Sequence, residues 1–436
     1  MTSRTIAAPN GEDVVIVAGV RTPIGKAEGA LAGLDAVELG RQVLRQLLAI
    51  TAASPDAVII GNVIQPAEAT NIARVIALRA GVDRAVPAHT VHRNCASGMQ
   101  AVTDGAMLIA TGRAAVVAVG GVESMTHAPL LLNDSVRRAL AYWRRARGKL
   151  HPALFRAWAH LLRSPGFFKP RSALREGLTD STVGMNMGQT AELLASDFGI
   201  TRAAQDQFAL QSHLRAHAAR EAGLLDGEMM PLFVPPDFNL FDRDEGIRPQ
   251  QSMAALAKLR PVFDRRLGTV TAGNSSQISD GAAMLMLTRR DKAEAEGWPL
   301  LGRLIDWRYA GCDPARMGLG PVFSSHRLLS DHGLTMADVA RVEINEAFTT
   351  QVLACQEALA SKAFHQRHGL GEPVGAPDDA QLNVWGGAVA IGHPVGMTGA
   401  RLILSLCHQL KVQPGLGLAT LCIGGGQGGA VLLEAG

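Results

Sequence analysis

Apolar runs that end on glycine-rich or polar turns recur along the chain and predict alternating strands and helices. Asp13 to Val20, DVVIVAGV, reads as a buried strand entering the turn RTPIG. Leu39, Val43, Leu44, Leu47 and Leu48 then fall on one helical stripe, and Ala57 to Gly61 begins a short strand. Val86 to Val91 is rich in β-formers and closes on His92-Arg93-Asn94. Beyond it Met99, Val102, Ala106 and Ile109 keep helical spacing as far as Gly112, a C-terminal cap signal. Cys95 occupies the turn between that strand and that helix. Ala115 to Val119 predicts one more strand, ending in a glycine turn at Gly120-Gly121.

The same order returns near the C-terminus, where GGAVAIGHPVGMTGARLILSLCHQL precedes GLGLATLCIGGGQGGAVLLEA. Superposing Gly98-Met99 on Gly396-Met397 places Cys95 on His393, so the pattern predicts two similarly built halves. Between them the chain becomes charged, proline-bearing and irregular, with one clear helix at Arg202 to Ala222 and a loop at FVPPDFNLFDRDEGIRP. The expected division is an N-terminal core of residues 1–126 and 254–297, an inserted domain of residues 127–253, and a C-terminal core of residues 298–436.

Composition narrows this to an α/β enzyme with many tight turns: 47% of the 436 residues are hydrophobic, only 4% are aromatic, and 47 are glycine. Five cysteines without CxxC spacing or a His/Cys cluster argue against a disulfide framework and a metal site, and for a reducing compartment. No stretch offers about 18 uninterrupted apolar residues, nor a signal-peptide core ahead of a cleavage site, and the terminal VLLEAG is not an SKL address. A cytoplasmic protein is expected. The net charge is only +3, yet residues 137–175 hold eleven Lys/Arg and no Asp or Glu. That is a local basic patch, and it does not indicate nucleic-acid binding.

The candidate chemistry begins at Cys95. A thiol ahead of a helix meets unsatisfied N–H groups and the positive end of the macrodipole, which favour the nucleophilic thiolate; an inert cysteine buried at a core helix fits this stretch alone equally well. Four further stretches stand out: TAGNSSQISDGAA at 271–283, NEAF at 345–348, GHP at 392–394 and CIGGGQG at 422–428. With the Cys95 turn, their order and spacing resemble the thiolase family over nearly the whole chain. The resemblance implies the thiolase fold, with two pseudo-equivalent halves in a five-layered αβαβα arrangement and an inserted loop domain. It also implies an acyltransferase, a 3-ketoacyl-CoA thiolase of fatty-acid β-oxidation, with coenzyme A as co-substrate and no permanently bound cofactor or metal.

Cleaving a carbon–carbon bond next to a thioester needs a nucleophile, a base, an acid for the departing enolate and donors for two oxyanions. By resemblance Cys95 is the nucleophile, His393 its base and Cys422 the acid/base at the α-carbon. Asn345 would hold a catalytic water that forms one oxyanion hole with His393, and the N–H groups of Cys95 and Gly424 would form the other. Ser276 is similar to a serine that contacts pantetheine, Met187 and Met317 to residues near the acyl end, and Phe348 is a candidate for the acyl pocket. Asn186 stands where acetoacetyl-CoA-specific thiolases tend to carry histidine.

Residues 152–163, PALFRAWAHLLR, place Leu154, Phe155, Trp158, Leu161 and Leu162 on one face and Arg156, His160 and Arg163 on the other. With YWRRARGK upstream and GFFKPR downstream, this segment is a candidate for peripheral membrane contact through residues 137–170, or for a cover over its own domain. It resembles the loop domain of thiolase β-subunits of fatty-acid-oxidation complexes, which implies a hydratase/dehydrogenase α-subunit as partner; those β-subunits commonly carry histidine at the position of Asn345. A homodimer or dimer of dimers is expected. The competing activities are acetyl-CoA acetyltransferase chemistry in the condensation direction, a β-ketoacyl synthase, and a non-catalytic thiolase-like subunit.

Overall fold

The computed structural model describes residues 13–145, 152–162 and 171–436. Nine strands run in order through its main sheet: β1 (Val14–Arg21), β2 (Ala57–Gly61), β3 (Ala88–Val91), β4 (Val116–Ser124), β5 (Ser279–Arg289), β6 (Gly302–Gly311), β7 (Val339–Ile344), β8 (Leu416–Ile423) and β9 (Gln427–Ala435). Their spatial order is β3-β2-β4-β5-β1-β6-β9-β8-β7, and a short strand, Gly25–Lys26, pairs with β5. Apart from β3, the order is that of one half written twice about the β1–β6 seam. In each half two parallel strands (β2 and β4; β7 and β8) are followed by antiparallel partners (β5 and β1; β9 and β6). The seam itself is short, pairing Val14–Ile16 with Gly302–Leu304.

Three pairs of helices complete the layers. Helices α1 (Ala36–Thr51) and α2 (Ile72–Ala80) cover one outer face, α4 (Gly320–Asp331) and α5 (Thr349–Ala360) the other. Between the half-sheets α3 (Ser97–Ala110) and α6 (Val395–Val412) lie against each other. Strand periodicity decides which core each side chain enters: Val15 and Val17 of β1 join Leu39, Leu44 and Leu47 of α1, whereas Val14 and Ile16 turn to the central layer of Met99, Leu402 and Leu406. The outer C-terminal core gathers Val322, Leu328, Ile344, Val352 and Leu432. Nearly every residue of α6 is buried, as a helix sandwiched on all sides requires. The stripe predicted for α1 is the buried one, and Asp35 caps its start by accepting from the Glu38 N–H at 2.7 Å.

Several local expectations are corrected. Gly120 and Gly121 are not a turn but lie inside β4, buried. A Cβ at Gly120 would stand 2.1 Å from the Ala283 carbonyl oxygen, and one at Gly121 would stand 2.0 Å from that of Gly396. These glycines therefore serve close approach of β4 to β5 and α6 rather than chain reversal. The strand before Cys95 is shorter than predicted, Ala88–Val91. The loop at 233–249 contains a hairpin, Leu232–Val234 with Asn239–Phe241. Within the insert the helix Arg202–Glu221 forms as predicted, capped by Thr201.

In the basic segment Asp134–Arg145 and Pro152–Leu162 form two helices that pack together. The apolar stripe of the second is divided: Leu161 is buried, while Phe155 is 76% and Leu162 60% exposed and Trp158 is also solvent-facing. The flanking motifs RGK and GFFKP lie outside the described residues. No helix among the described residues is long and apolar enough to cross a membrane.

Candidate active site

Both halves deliver a chemically reactive residue at the same place. Cys95 and His393 each stand two residues before the first residue of a central helix, Ser97 of α3 and Val395 of α6. Each is preceded by a residue with positive φ, Asn94 at 44° and Gly392 at 110°. The equivalence inferred from Gly98-Met99 and Gly396-Met397 is thus a structural one: the two helix starts meet, and a Cβ on Gly98 would lie 2.9 Å from the Gly396 carbonyl oxygen.

Cys95 is half-buried and borders a narrow apolar space with Val63, Ile64, Met125, Leu174, Leu178 and Met187. That space shares Val63, Ile64, Asn94, Met187 and Gly424 with a wider basin of about 460 Å³. Gly424 opens the turn after β8, and its N–H acts on the Cys95 sulfur. The turn is held from the Cys95 side, since Asn94 Nδ2 donates to the Gly424 carbonyl at 2.7 Å. Gly425 and Gly426 follow at φ 90° and 77°, conformations that favour glycine.

Burial opposes the thiolate that the helix start favours. Burial pushes the Cys95 thiol up to about 11; the N–H groups of Gly424 and of Cys95 pull it down, and the Glu123 carboxylate pushes it up again. Desolvation outweighs the N–H groups at the helix start, so the free site holds a neutral thiol. His393 is neutral too: burial, with the charge of Arg401 behind it, lowers its imidazole to about 3. Its tautomer follows from its neighbour. The Thr398 hydroxyl donates to the Pro394 carbonyl at 2.9 Å, so at 2.7 Å it accepts from His393 Nδ1–H. The basic lone pair is then on Nε2, which receives Asn345 Nδ2 at 3.4 Å.

Asn345 is fully buried, fixed through its backbone N–H to the Thr420 carbonyl at 3.0 Å, and its Oδ1 has no hydrogen-bond partner among the described residues. Cys422 closes β8 beside it. Burial raises this thiol well above its ordinary value, and it stands two residues before Gly424, which borders the same space as Cys95. Cys422 packs in one cluster with Met317, Phe348, Met187 and Phe263, the Phe348 and Phe263 rings meeting edge to face at 6.1 Å.

Most of the predicted residues therefore converge. Cys95 meets Gly424, His393 meets Asn345, and Cys422 joins Met187, Met317 and Phe348. Cys95 and His393 make no hydrogen bond to each other among the described residues, an arrangement that a free site allows. Ser276 reaches the site through its backbone, its N–H donating to the Ala347 carbonyl at 3.0 Å, and its hydroxyl makes no protein hydrogen bond among the described residues. Asn186 has a structural task as N-cap of the helix Met187–Asp197, in a capping box with Gln189. Sequence reasoning missed Thr398, which sets the His393 tautomer, and Asn94, which ties the two turns together. Thr398 follows the GHP motif at one helical turn, and that spacing was its only signal.

This fold and this set of groups define an acyl-transferring enzyme of the thiolase class. The thiolase N-terminal domain model matches residues 14–291 and the thiolase C-terminal domain model residues 298–435, so the chain belongs to the thiolase family. An acetyl-CoA acetyltransferase of Pseudomonas aeruginosa is 40% identical over 429 residues, covering 97% of this chain and 99% of that protein. A 3-ketoacyl-CoA thiolase of Yersinia enterocolitica is 36% identical over 432 residues, covering 97% of each. Human mitochondrial 3-ketoacyl-CoA thiolase in complex with CoA superposes with a TM-score of 0.83 at 34% identity, over 99% of this chain and all of that one. The protein is an acyltransferase that uses CoA as co-substrate.

Proposed function

We propose that the protein cleaves 3-ketoacyl-CoA with CoA, giving acetyl-CoA and a shortened acyl-CoA. The observation that carries this is the Asn94–Gly424 hydrogen bond, which holds the turn just after Cys422 against the turn of Cys95, so that thiols from different halves flank Gly424. Cys95 Sγ attacks the keto carbon as its proton passes to His393 Nε2. The neutral resting pair makes ionisation part of the attack. The oxyanion formed at that carbon is met by the N–H groups of Cys95 and Gly424. The bond between C2 and C3 breaks, its electron pair leaves on C2 as the acetyl-CoA enolate, and C2 takes the Cys422 proton. His393 with the water on Asn345 Oδ1 supports the enolate oxygen. A second CoA gives its thiol proton to Cys422 and attacks the acyl thioester, and Cys95 leaves with its proton restored. Ser276, Met187, Met317 and Phe348 line the path of the pantetheine and acyl groups.

The apolar walls of the space at Cys95, with Val63, Ile64, Met125, Leu174 and Leu178, support substrates longer than acetoacetyl-CoA. Loss of ketoacyl absorbance on adding CoA, followed over a series of acyl lengths, tests this. Faster turnover of longer 3-ketoacyl-CoA is expected. Consumption of acetoacetyl-CoA alone would leave the acetyltransferase reading, and turnover of malonyl thioesters alone would leave the synthase reading. The division of the chain into residues 1–126 with 254–297, 127–253 and 298–436 forms part of the same proposal.

A second reading concerns location. The exposed Phe155, Trp158 and Leu162 belong to a helix packed against the one that carries the exposed Arg137, Arg138 and Arg144, a combination suited to an anionic lipid surface. Flotation with anionic liposomes is expected for the whole protein and not for one lacking residues 137–170; equal flotation would reject membrane contact.

A further inference from the structure

The duplicated fold has a second polar pair that the reaction does not use. In the N-terminal half Gly61 of β2 stands opposite Gly121 of β4; in the C-terminal half Ile344 of β7 stands opposite Thr420 of β8. One residue beyond Gly61 and Ile344 lie Asn62 and Asn345. Two residues beyond Gly121 and Thr420 lie Glu123 and Cys422. The next ladder agrees, with Glu123 opposite Gly281 and Cys422 opposite Gly428. Glu123 and Asn62 are thus the counterparts of Cys422 and Asn345.

Glu123 is fully buried, and all four of its partners are amide N–H donors. Oε1 accepts from Asn62 Nδ2 at 3.1 Å and from Ile64 N at 3.0 Å; Oε2 accepts from Val63 N at 3.1 Å and from Gly396 N at 2.9 Å. Val63 and Ile64 border the space at Cys95, and Gly396 is in the first turn of the His393 helix. Neither central helix has a side-chain cap of its own, the N-cap residues being Ala96 and Pro394. The carboxylate supplies the missing acceptor from a strand of the other half. Glycine at 396 admits it, because a Cβ there would stand 2.9 Å from Glu123 Oε2 and 2.5 Å from the Val122 carbonyl oxygen.

We propose that Glu123 is a positioning residue that locks the Val63–Ile64 wall of the Cys95 space to the first turn of the His393 helix. It sets the spacing of nucleophile and base without touching substrate, and the inference rests on the roles given above to Cys95 and His393. A carboxylate suits this task because only it presents four acceptor positions to four donors. Glutamine would turn an NH₂ group on two of those donors, whichever way it flipped. Burial pushes the Glu123 carboxyl up to about 7 against the pull of the Ile64, Val63 and Gly396 N–H groups, and Asp280, itself held by Thr126, adds to the rise, so Glu123 is an anion where the higher-lying Cys95 thiol ionises.

The test compares Glu123→Gln and Glu123→Asp with the unaltered enzyme, reading thiolysis kinetics and the pH profile of Cys95 alkylation by iodoacetamide. Glu123→Gln is expected to lower kcat by about 10- to 100-fold through misplacement of the reacting groups. Because the Glu123 anion holds the Cys95 thiol up, its removal moves the alkylation profile to lower pH, and Glu123→Asp, which keeps the charge, leaves the profile in place. If Glu123→Gln does not fold, Asn62→Ala removes one of the four donors, and a several-fold fall in kcat with unchanged KM for CoA is expected. Wild-type kcat and alkylation profile in Glu123→Gln, or wild-type kcat in Asn62→Ala, would overturn the inference. A Cys95→Ala control separates the two ideas: retained thiolysis there rejects the proposed mechanism, whereas its loss beside an unaffected Glu123→Gln rejects only the positioning role.

Discussion

Cys95→Ala is expected to lower thiolysis about 10⁴-fold or more, because it removes the atom that forms the acyl intermediate. Binding should survive, since the carbons and backbone around the site stay in place. The variant is thus predicted to retain CoA affinity and thermal stability close to wild type, with incorporation of labelled acyl group into the protein abolished. Cys422→Ala should behave differently. It leaves the nucleophile and removes the proton exchange at C2, for which a loss of about 10²- to 10⁴-fold is expected, with acylation of Cys95 from an acyl-CoA still detectable. Retained turnover in Cys95→Ala, or equal loss of acylation in both variants, would contradict the division of labour between the thiols.

The residues to which these roles are given stood out in the sequence as short motifs, and their roles came from the family resemblance. Cys95, Asn345 and His393 lie on turns that follow strands or open helices and Cys422 lies at the end of β8, next to such a turn, and turn chemistry is local, so short motifs report it. The superposition of Cys95 on His393 was also visible, because Gly98 and Gly396 are required where the two helix starts meet. The burial that opposes the thiolate is something no local pattern contains. The helix start at Cys95 is evident from the sequence, but its burial depends on Val63, Met125, Leu174 and Met187, which come from distant segments. Likewise Gly120-Gly121 read as a turn because glycine alone does not reveal whether it frees the backbone or makes room for a neighbour, here Gly396 and Ala283. Glu123 gave no signal at all. An acidic residue near a strand end reads as solvent-facing until the strand register shows it to be the counterpart of Cys422.

Arg21 carries the same lesson into stability. In the sequence it belongs to the turn RTPIG, where an arginine is expected at the surface. In the structure it ends β1, fully buried, with Nε donating to Glu228 Oε1 at 2.6 Å and Nη1 and Nη2 to the two oxygens of Asp244 at 2.8 and 3.0 Å. Burial opposes its charge, but Asp244 and Glu228 outweigh that and hold the guanidinium above its ordinary value. Asp244 also accepts from the Ile24 N–H at 2.8 Å, so this one cluster fastens the long excursion from β4 to β5 onto the core. Arg21→Met would strand two buried carboxylates without their cation, and a destabilisation of about 3–5 kcal/mol is expected in denaturant unfolding. The triple variant Arg21→Met, Glu228→Gln, Asp244→Asn should be less destabilised than Arg21→Met alone, because it removes the uncompensated charge along with the pair. If the single variant unfolded at the wild-type midpoint, the cluster would not be what holds the insert. If the triple variant were the weaker of the two, shape and hydrogen bonding rather than charge would be the larger part of its contribution.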